Sequence, residues 1–407
     1  MQTFKKLFKR IGIFITAVFV LINAFIIVTG RFYLYKGIGF TYLSGETGPT
    51  IYDLDKFEKS SILPAKKVFT WNQADSFNKY FLSKEQANYF SSLKTKAILV
   101  FKGDQILFEH YYDGHTPTTV SNSFSAAKTV VSLLVGCALD EEKIKSLEEP
   151  IGNYLEDFNK DGKENITIRH LLMMASGLDW QESGKNPLSD NAASYYGEDL
   201  YNLVTTQELI TEPGKRFLYQ SGNSQLLGYI IEKATGKSLN EYAQEKLWAK
   251  IGAEEEAFWS LDKEEGDEKA FCCMYATARD FGKIGRLINQ EGEWEGKTII
   301  SETFMSELVE NPSMVTEDNT ENYRYGLHIW TYLGDKNPVY YCRGILGQYI
   351  ISIPEEDLVI VRLGSKRDKT IKLSEGSNHS EEAILRAGHP ADLFELIELG
   401  RKVAQQK

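Results

Sequence analysis

Strand-like patterns stand at both ends of this chain and helix-like patterns fill its middle, so any single sheet must be assembled from ends far apart in sequence. Near the start, Ala97-Ile-Leu-Val-Phe101 and Ile106-Leu-Phe-Glu-His-Tyr111 flank Lys102-Gly-Asp-Gln105, which reads as a hairpin with a Gly-Asp turn. Near the end, residues 338–343, 348–353 and 358–363 are strand-like, with Pro354-Glu-Glu-Asp357 turning between the last two. Residues 325–330 read as one more strand. Helical periodicity dominates from about 141 to 265, strongest at 167–175 and 221–233, and returns at 277–289 and at about 390–403. The expectation is an α+β fold: an antiparallel sheet flanked by helices, with an all-helical lobe inserted at about 141–265. A cleft between sheet and lobe is the natural place for a site.

Residues 11–30, IGIFITAVFVLINAFIIVTG, are 20 residues without a charge, about the length that crosses a bilayer. Lys5, Lys6, Lys9 and Arg10 precede them, which favours a cytoplasmic N-terminal end. The stretch exceeds the usual signal-peptide core and no small-x-small cleavage site follows it. An uncleaved single-pass anchor in a bacterial cytoplasmic membrane is expected, with the rest of the chain outside the cytoplasm; a cleaved signal is the alternative. The expected organisation is a cytoplasmic stub and anchor at 1–30, a lead-in or linker at 31–90 and a catalytic domain at 91–407. With 407 residues, 42% of them apolar and 25% charged, the chain suits one large or two modest globular domains. A net charge of −11 and no basic stripe argue against a nucleic-acid partner.

Ser-x-x-Lys occurs four times, from Ser76, Ser91, Ser125 and Ser260, and short motifs need structural context. Only Ser125-Ala-Ala-Lys128 opens an apolar run long enough for a buried helix, TVVSLLVGCAL at 129–139. A serine on the first helical turn with a lysine three residues on puts hydroxyl and amine on one face. The helix start favours developing negative charge. Nucleophile, proton acceptor and anion-friendly end together suit serine acyl transfer.

Two other patterns are weaker. Asp157-Phe-Asn159-Lys-Asp161-Gly162 copies the first half of an EF-hand loop, but Ile168 stands where a bidentate glutamate is required, so a solvated turn is expected. The six histidines are scattered, without paired zinc-ligand spacing, and neither metal nor cofactor is expected. Cys137, Cys272, Cys273 and Cys342 form no disulfide framework and read as buried free thiols.

Three segments follow in chain order: Ser125-Ala-Ala-Lys128, then Tyr219-Gln-Ser221-Gly-Asn223, then Arg343-Gly344-Ile345-Leu346-Gly347-Gln348. With Thr167-Ile-Arg-His170-Leu-Leu, Ser176-Gly177-Leu178, Ala276-Thr-Ala-Arg279-Asp280 and Ile351-Ser-Ile-Pro354, they resemble the serine β-lactamase and penicillin-recognising superfamily over about residues 90–365. Within it the likeness is to class C-like hydrolases, the esterase and 6-aminohexanoate-dimer hydrolase branch.

That resemblance implies a β-lactamase/transpeptidase-like fold and an acyl-enzyme on Ser125, with Lys128 and Tyr219 as the base pair. Which of the two holds the proton stays open. It implies an oxyanion hole from the backbone N–H groups of Ser125 and Ile345, and substrate contacts from Trp180, Tyr196, Ser221, Asn223, Gly344, Gly347 and Gln348. Two departures matter. Cys342-Arg343-Gly344 replaces the Lys-Thr-Gly of class C β-lactamases, and Ser221 replaces the asparagine of Tyr-x-Asn. Both point to a small amide or ester substrate; a D-Ala-D-Ala peptidase or β-lactamase, and a binding protein or sensor with little turnover, are the competing readings. His328 is expected to be structural, and Asp179 and Glu182 to be solvated loop carboxylates. Oligomeric state is left open.

Overall fold

The computed structural model describes residues 2–316, 319–373 and 379–406. Helix α1 (Gln2–Thr29) comes first, and its Phe4–Thr29 stretch is long and apolar enough to cross a membrane, with almost none of that stretch buried. Helix α2 (Tyr33–Phe40), strand β1 (Lys59–Ile62), strand β2 (Asn72–Gln73) and helix α3 (Lys84–Ser92) follow. The hairpin is β3 (Thr95–Lys102) and β4 (Gln105–Tyr111), with Lys102 opposite Gln105 across the expected Gly-Asp turn and a register shift between Val100 and Phe101. After the short β5 (Ser121–Asn122), a 3₁₀ turn at Phe124–Ala126 runs into α4 (Ala127–Asp140).

The middle holds α5 (Ile168–Leu172), α6 (Asp190–Tyr196), α7 (Leu200–Thr205), α8 (Ser221–Thr235) and α9 (Leu239–Ala243), then β6 (Ala257–Ser260) and β7 (Met274–Ala276). Helix α10 (Ala278–Asn289), a small ribbon of β8 (Glu293–Trp294) and β9 (Lys297–Thr298), and α11 (Glu302–Val309) lead to β10 (Trp330–Tyr332). The chain closes with β11 (Val339–Gly344), β12 (Gln348–Ile353), β13 (Leu358–Gly364), α12 (Glu381–Arg386) and α13 (Ala391–Ala404).

The two ends meet as expected. The main sheet has the order β10-β11-β12-β13-β3-β4-β2, and the join is β13 antiparallel to β3, with Arg362 opposite Ile98 and Val359 opposite Phe101. Its edge strand β2 runs parallel to β4, so the sheet is mixed at one edge and antiparallel elsewhere. Every residue of β13 is buried, because helices cover both faces. Gly285 of α10 seats against Val359 and Gly400 of α13 against Ile360, neighbours whose side chains leave opposite faces of the strand.

A second, four-stranded antiparallel sheet has the order β1-β6-β7-β5, and its edge strand β5 leads into the Ser125 turn. It draws β1 from the segment expected to be a lead-in or linker. That segment is integral to the fold: Ser60 stands opposite Trp259, and buried Trp71 donates to the Arg279 carbonyl at 3.2 Å.

Two expectations need adjustment. The stretch at 141–265 is less helical than its periodicity suggests and contains β6. Its helices are short and separately capped, with Thr167, Ser189, Asp199 and Ser238 each accepting a backbone N–H at a new N-terminus. The expected strand at 325–330 is a tight turn with His328 at φ 62°, and pairing begins at Trp330. Ladder pairing is blocked there because the His328 N–H turns to the Leu172 carbonyl instead.

Candidate active site

Strand β5 delivers Ser125 through a sharp turn. Phe124 sits at φ 46°, a left-handed conformation for a bulky side chain, and its N–H is held by the Asn122 side chain at 2.8 Å. Asn122 in turn donates to the Tyr275 hydroxyl at 3.1 Å, so β7 fixes the turn. Helix α4 then runs inward, buried on every side from Ala127 to Ala138, as an all-round apolar sequence requires. Its polar members are tied down: Thr129 donates to the His328 carbonyl at 2.7 Å and Ser132 to the Leu327 carbonyl at 2.8 Å.

Lys128 is 1% exposed, and its amine meets three oxygens: Ser125 Oγ at 3.2 Å, Ser221 Oγ at 3.2 Å and the Phe271 carbonyl at 2.5 Å. Burial drives its pKa down to about 8, with the negative charge of Glu182 opposing the fall. Tyr219 lies within hydrogen-bonding reach of Ser125, its ring centroid 5.3 Å from the Lys128 amine. Burial pushes the Tyr219 phenol well above its ordinary value, against the pull of its contact with Ser125 and of the Arg343 and Arg367 charges. The two environments therefore move the amine and the phenol apart: Lys128 loses its proton more readily than an exposed lysine, and Tyr219 keeps its own.

Glu182, expected to be a solvated loop carboxylate, is a hub of the site. It accepts from Ser221 Oγ at 2.9 Å, Ser221 N–H at 2.8 Å, Trp180 Nε1 at 2.8 Å and Asn191 Nδ2 at 2.9 Å. It thus caps the N-terminus of α8, where the helix dipole favours an anion. The sequence signal was slight: a carboxylate two residues after a tryptophan, in a loop rich in Ser, Gly, Asn and Pro.

Of the expected substrate contacts, Tyr196, Ser221 and Gly344 line a cleft of about 390 Å³ that also contains Ser125, Tyr219, Glu182, Arg343 and Ile345, the last expected as an oxyanion donor. Four do not reach it. Trp180 is buried behind the site, its ring against Gly222, and holds Glu182. Asn223 is buried and accepts from Ser176 Oγ at 2.8 Å, because two residues along a helix is a turn of about 200° away from Ser221. Gln348 is buried and its amide bonds the Ile345 and Gly364 carbonyls at 3.0 and 2.7 Å, fixing the turn after β11. Gly347, at φ 88°, is pressed against the Arg362 guanidinium rather than the cleft.

Arg343 faces the cleft with its guanidinium 3.3 Å from the Trp330 ring centroid. His328 is a buried pin, bonded to Ser224 Oγ at 2.8 Å and to the Leu172 carbonyl at 2.7 Å. Cys272, on the cleft wall, is joined to Cys273 by a disulfide, correcting the reading of both as free thiols; the bend at Cys273, φ 66°, brings the neighbouring sulfurs together. Cys137 and Cys342 are free and buried.

Gly344 permits the close approach of β11 to the Ser125 turn. A Cβ there would lie 2.1 Å from the Ser123 carbonyl oxygen, a backbone atom that cannot swing aside. Gly344→Ala should therefore cost about 1–3 kcal/mol in urea unfolding and lower kcat more than it raises KM. A variant with unchanged stability and kcat would show that strand and turn can part freely.

A beta-lactamase family model matches residues 92–374. The 6-aminohexanoate-dimer hydrolase of Paenarthrobacter ureafaciens is 27% identical over 290 residues, 67% of this chain and 73% of that protein. The teichoic acid D-alanine hydrolase of Staphylococcus aureus (strain MRSA252) is 23% identical over 304 residues, 68% of each. Among solved structures, a Bacillus anthracis protein provisionally named a 6-aminohexanoate-dimer hydrolase superimposes with a TM-score of 0.71 at 21% identity, over 86% of this chain and 92% of that one.

Proposed function

The chain belongs to the beta-lactamase family and is a serine hydrolase related to amide and ester hydrolases; from that premise we propose that it cleaves a small amide or ester through an acyl-enzyme on Ser125. The observation that carries the reading is the buried amine of Lys128 bridging Ser125 Oγ and Ser221 Oγ, two residues that line the cleft.

In this mechanism neutral Lys128 takes the Ser125 proton as Oγ attacks the carbonyl carbon. The N–H groups of Ser125 and Ile345 hold the oxyanion. Tyr219, kept protonated by burial, gives its proton to the leaving nitrogen or oxygen. The acyl-enzyme then stands beside a Lys128 ammonium and a Tyr219 phenolate. Water attacks the acyl group, its proton passes to the phenolate, and Ser125 leaves with the proton from Lys128. The cycle closes with every proton returned.

Ser221 relays Glu182 to Lys128. Because the Glu182 charge raises the Lys128 pKa, Glu182→Gln should lower it and move the rising limb of the kcat/KM–pH profile to lower pH. A limb that stays in place would remove Glu182 from the account of the base.

The absent Lys-Thr-Gly and the serine at position 221 favour esters and linear amides over β-lactams. Turnover of p-nitrophenyl butyrate, a linear 6-aminohexanoate oligomer and nitrocefin by the purified protein tests this. Ester or linear amide is expected to give the highest kcat/KM; nitrocefin ahead of both would support the β-lactamase reading instead. The membrane reading rests on the length and apolar character of α1, whose C-terminal end is tied to α2, where Tyr35 donates to Asn23 at 2.7 Å. We take α1 to be an uncleaved anchor.

A further inference from the structure

The wall of the cleft facing α8 and β11 comes from the first residues after α1. Tyr33, Leu34, Gly37 and Ile38 of α2, with Thr41 and Tyr42 beyond it, line the same cavity as Ser125. The Tyr196 ring closes on Gly37, 3.4 Å from where a Cβ would sit. Arg31 and Tyr33 stitch this wall to the opposite lip, donating to the Leu188 and Pro187 carbonyls at 2.9 and 3.1 Å.

This places the cleft close to the end of the apolar helix. Tyr33 follows Thr29 by four positions, and even fully extended that span reaches at most about 14 Å. The head-group layer of one leaflet is about 5–8 Å deep, so this wall of the cleft begins inside that layer or just beyond it. The residues bracketing α2 suit it. Phe32 is 58% exposed, Tyr42 74% and Leu43 81%, and Ile345 on the far rim is 46% exposed. Aromatic and aliphatic side chains next to a spanning helix are those that settle at the membrane interface.

We propose that the cleft mouth rests on the bilayer through Phe32, Tyr42 and Leu43, and that the substrate is an amphiphile presenting its ester or amide at the head-group plane. The inference rests on the hydrolase and anchor readings above. Helix α2 then acts as the membrane-side wall, along which the apolar part of the substrate remains near lipid while its carbonyl reaches Ser125.

Two measurements on the full chain, reconstituted in phosphatidylcholine–phosphatidylglycerol vesicles, test it. First, a nitrobenzoxadiazole fluorophore on Leu43→Cys is exposed to doxyl-labelled lipid; the native cysteines are buried or paired and should not label. Quenching is expected, and a fluorophore that stays unquenched overturns the surface contact. Second, the double variant Phe32→Ser/Leu43→Ser, which replaces no cleft-lining residue, is compared with the unaltered chain on two esters. Hydrolysis of vesicle-embedded 4-methylumbelliferyl palmitate should fall at least about tenfold, while that of soluble p-nitrophenyl butyrate stays within about twofold. Equal losses on both, or none on either, overturn the proposal. If the unaltered chain cleaves neither ester, the hydrolase reading fails, and the quenching result still decides where the mouth lies.

Discussion

Ser125→Ala should lower kcat/KM for p-nitrophenyl butyrate by about 10⁴-fold or more, the scale of loss when a covalent nucleophile is removed. The size follows from how the site is built. The left-handed Phe124 turn, the Asn122–Tyr275 clamp and the buried α4 all serve to hold one hydroxyl against one amine. Alanine is the smallest change at this partly buried position, so the turn and helix should persist, and near-ultraviolet circular dichroism should match the parent. An activity loss of less than about tenfold with intact structure would mean that the reaction does not pass through Ser125.

Lys128→Ala should cost about 10²–10⁴-fold in kcat, the range for loss of a positioned proton-transfer group. Its signature is in the pH profile. With the amine pulled down to about 8, the parent gains activity as pH rises through that value, because the neutral amine is the working form. The variant should lose that limb altogether. Tyr219 does not replace it, since burial holds the phenol protonated across the same range. A variant that keeps the limb near pH 8 would assign the base elsewhere.

The parts of this fold that were legible in sequence are those fixed by local pattern. The β3–β4 hairpin and β11–β13 show as apolar, β-branched runs broken by Gly-Asp and Pro-Glu-Glu-Asp turns, and they join in one sheet as the two-ended pattern requires. Ser125 stood out because one Ser-x-x-Lys of four led into a helix with no polar face. What was not legible depends on contacts between distant segments. Gly37 meets Tyr196 across 159 positions, and nothing in the composition of 31–90 marks it as a cleft wall. Glu182 becomes a hub only when Trp180, Asn191 and Ser221 converge on it. Asn223 and Gln348 were misplaced for the opposite reason: they neighbour motif residues in sequence, but helix rotation and the turn after β11 direct them into the interior.

The departures from class C β-lactamases acquire a physical meaning in the structure. Ser221 is short enough for Glu182 to bond both its backbone and its hydroxyl while Lys128 reaches the same oxygen. Arg343 holds its guanidinium over the Trp330 ring and donates to the Gly388 carbonyl, where a lysine would present a compact ammonium. Both changes alter what the cleft offers a substrate and leave the Ser125–Lys128 contact in place.

Covalent labelling tests the central claim most directly. The purified protein is treated with a fluorophosphonate, digested and mapped by tandem mass spectrometry. A single phosphonyl adduct on Ser125, absent when Ser125→Ala is treated in the same way, is the predicted result. An unmodified Ser125 in a folded protein, or an adduct on another serine, would contradict an acyl-enzyme at this position.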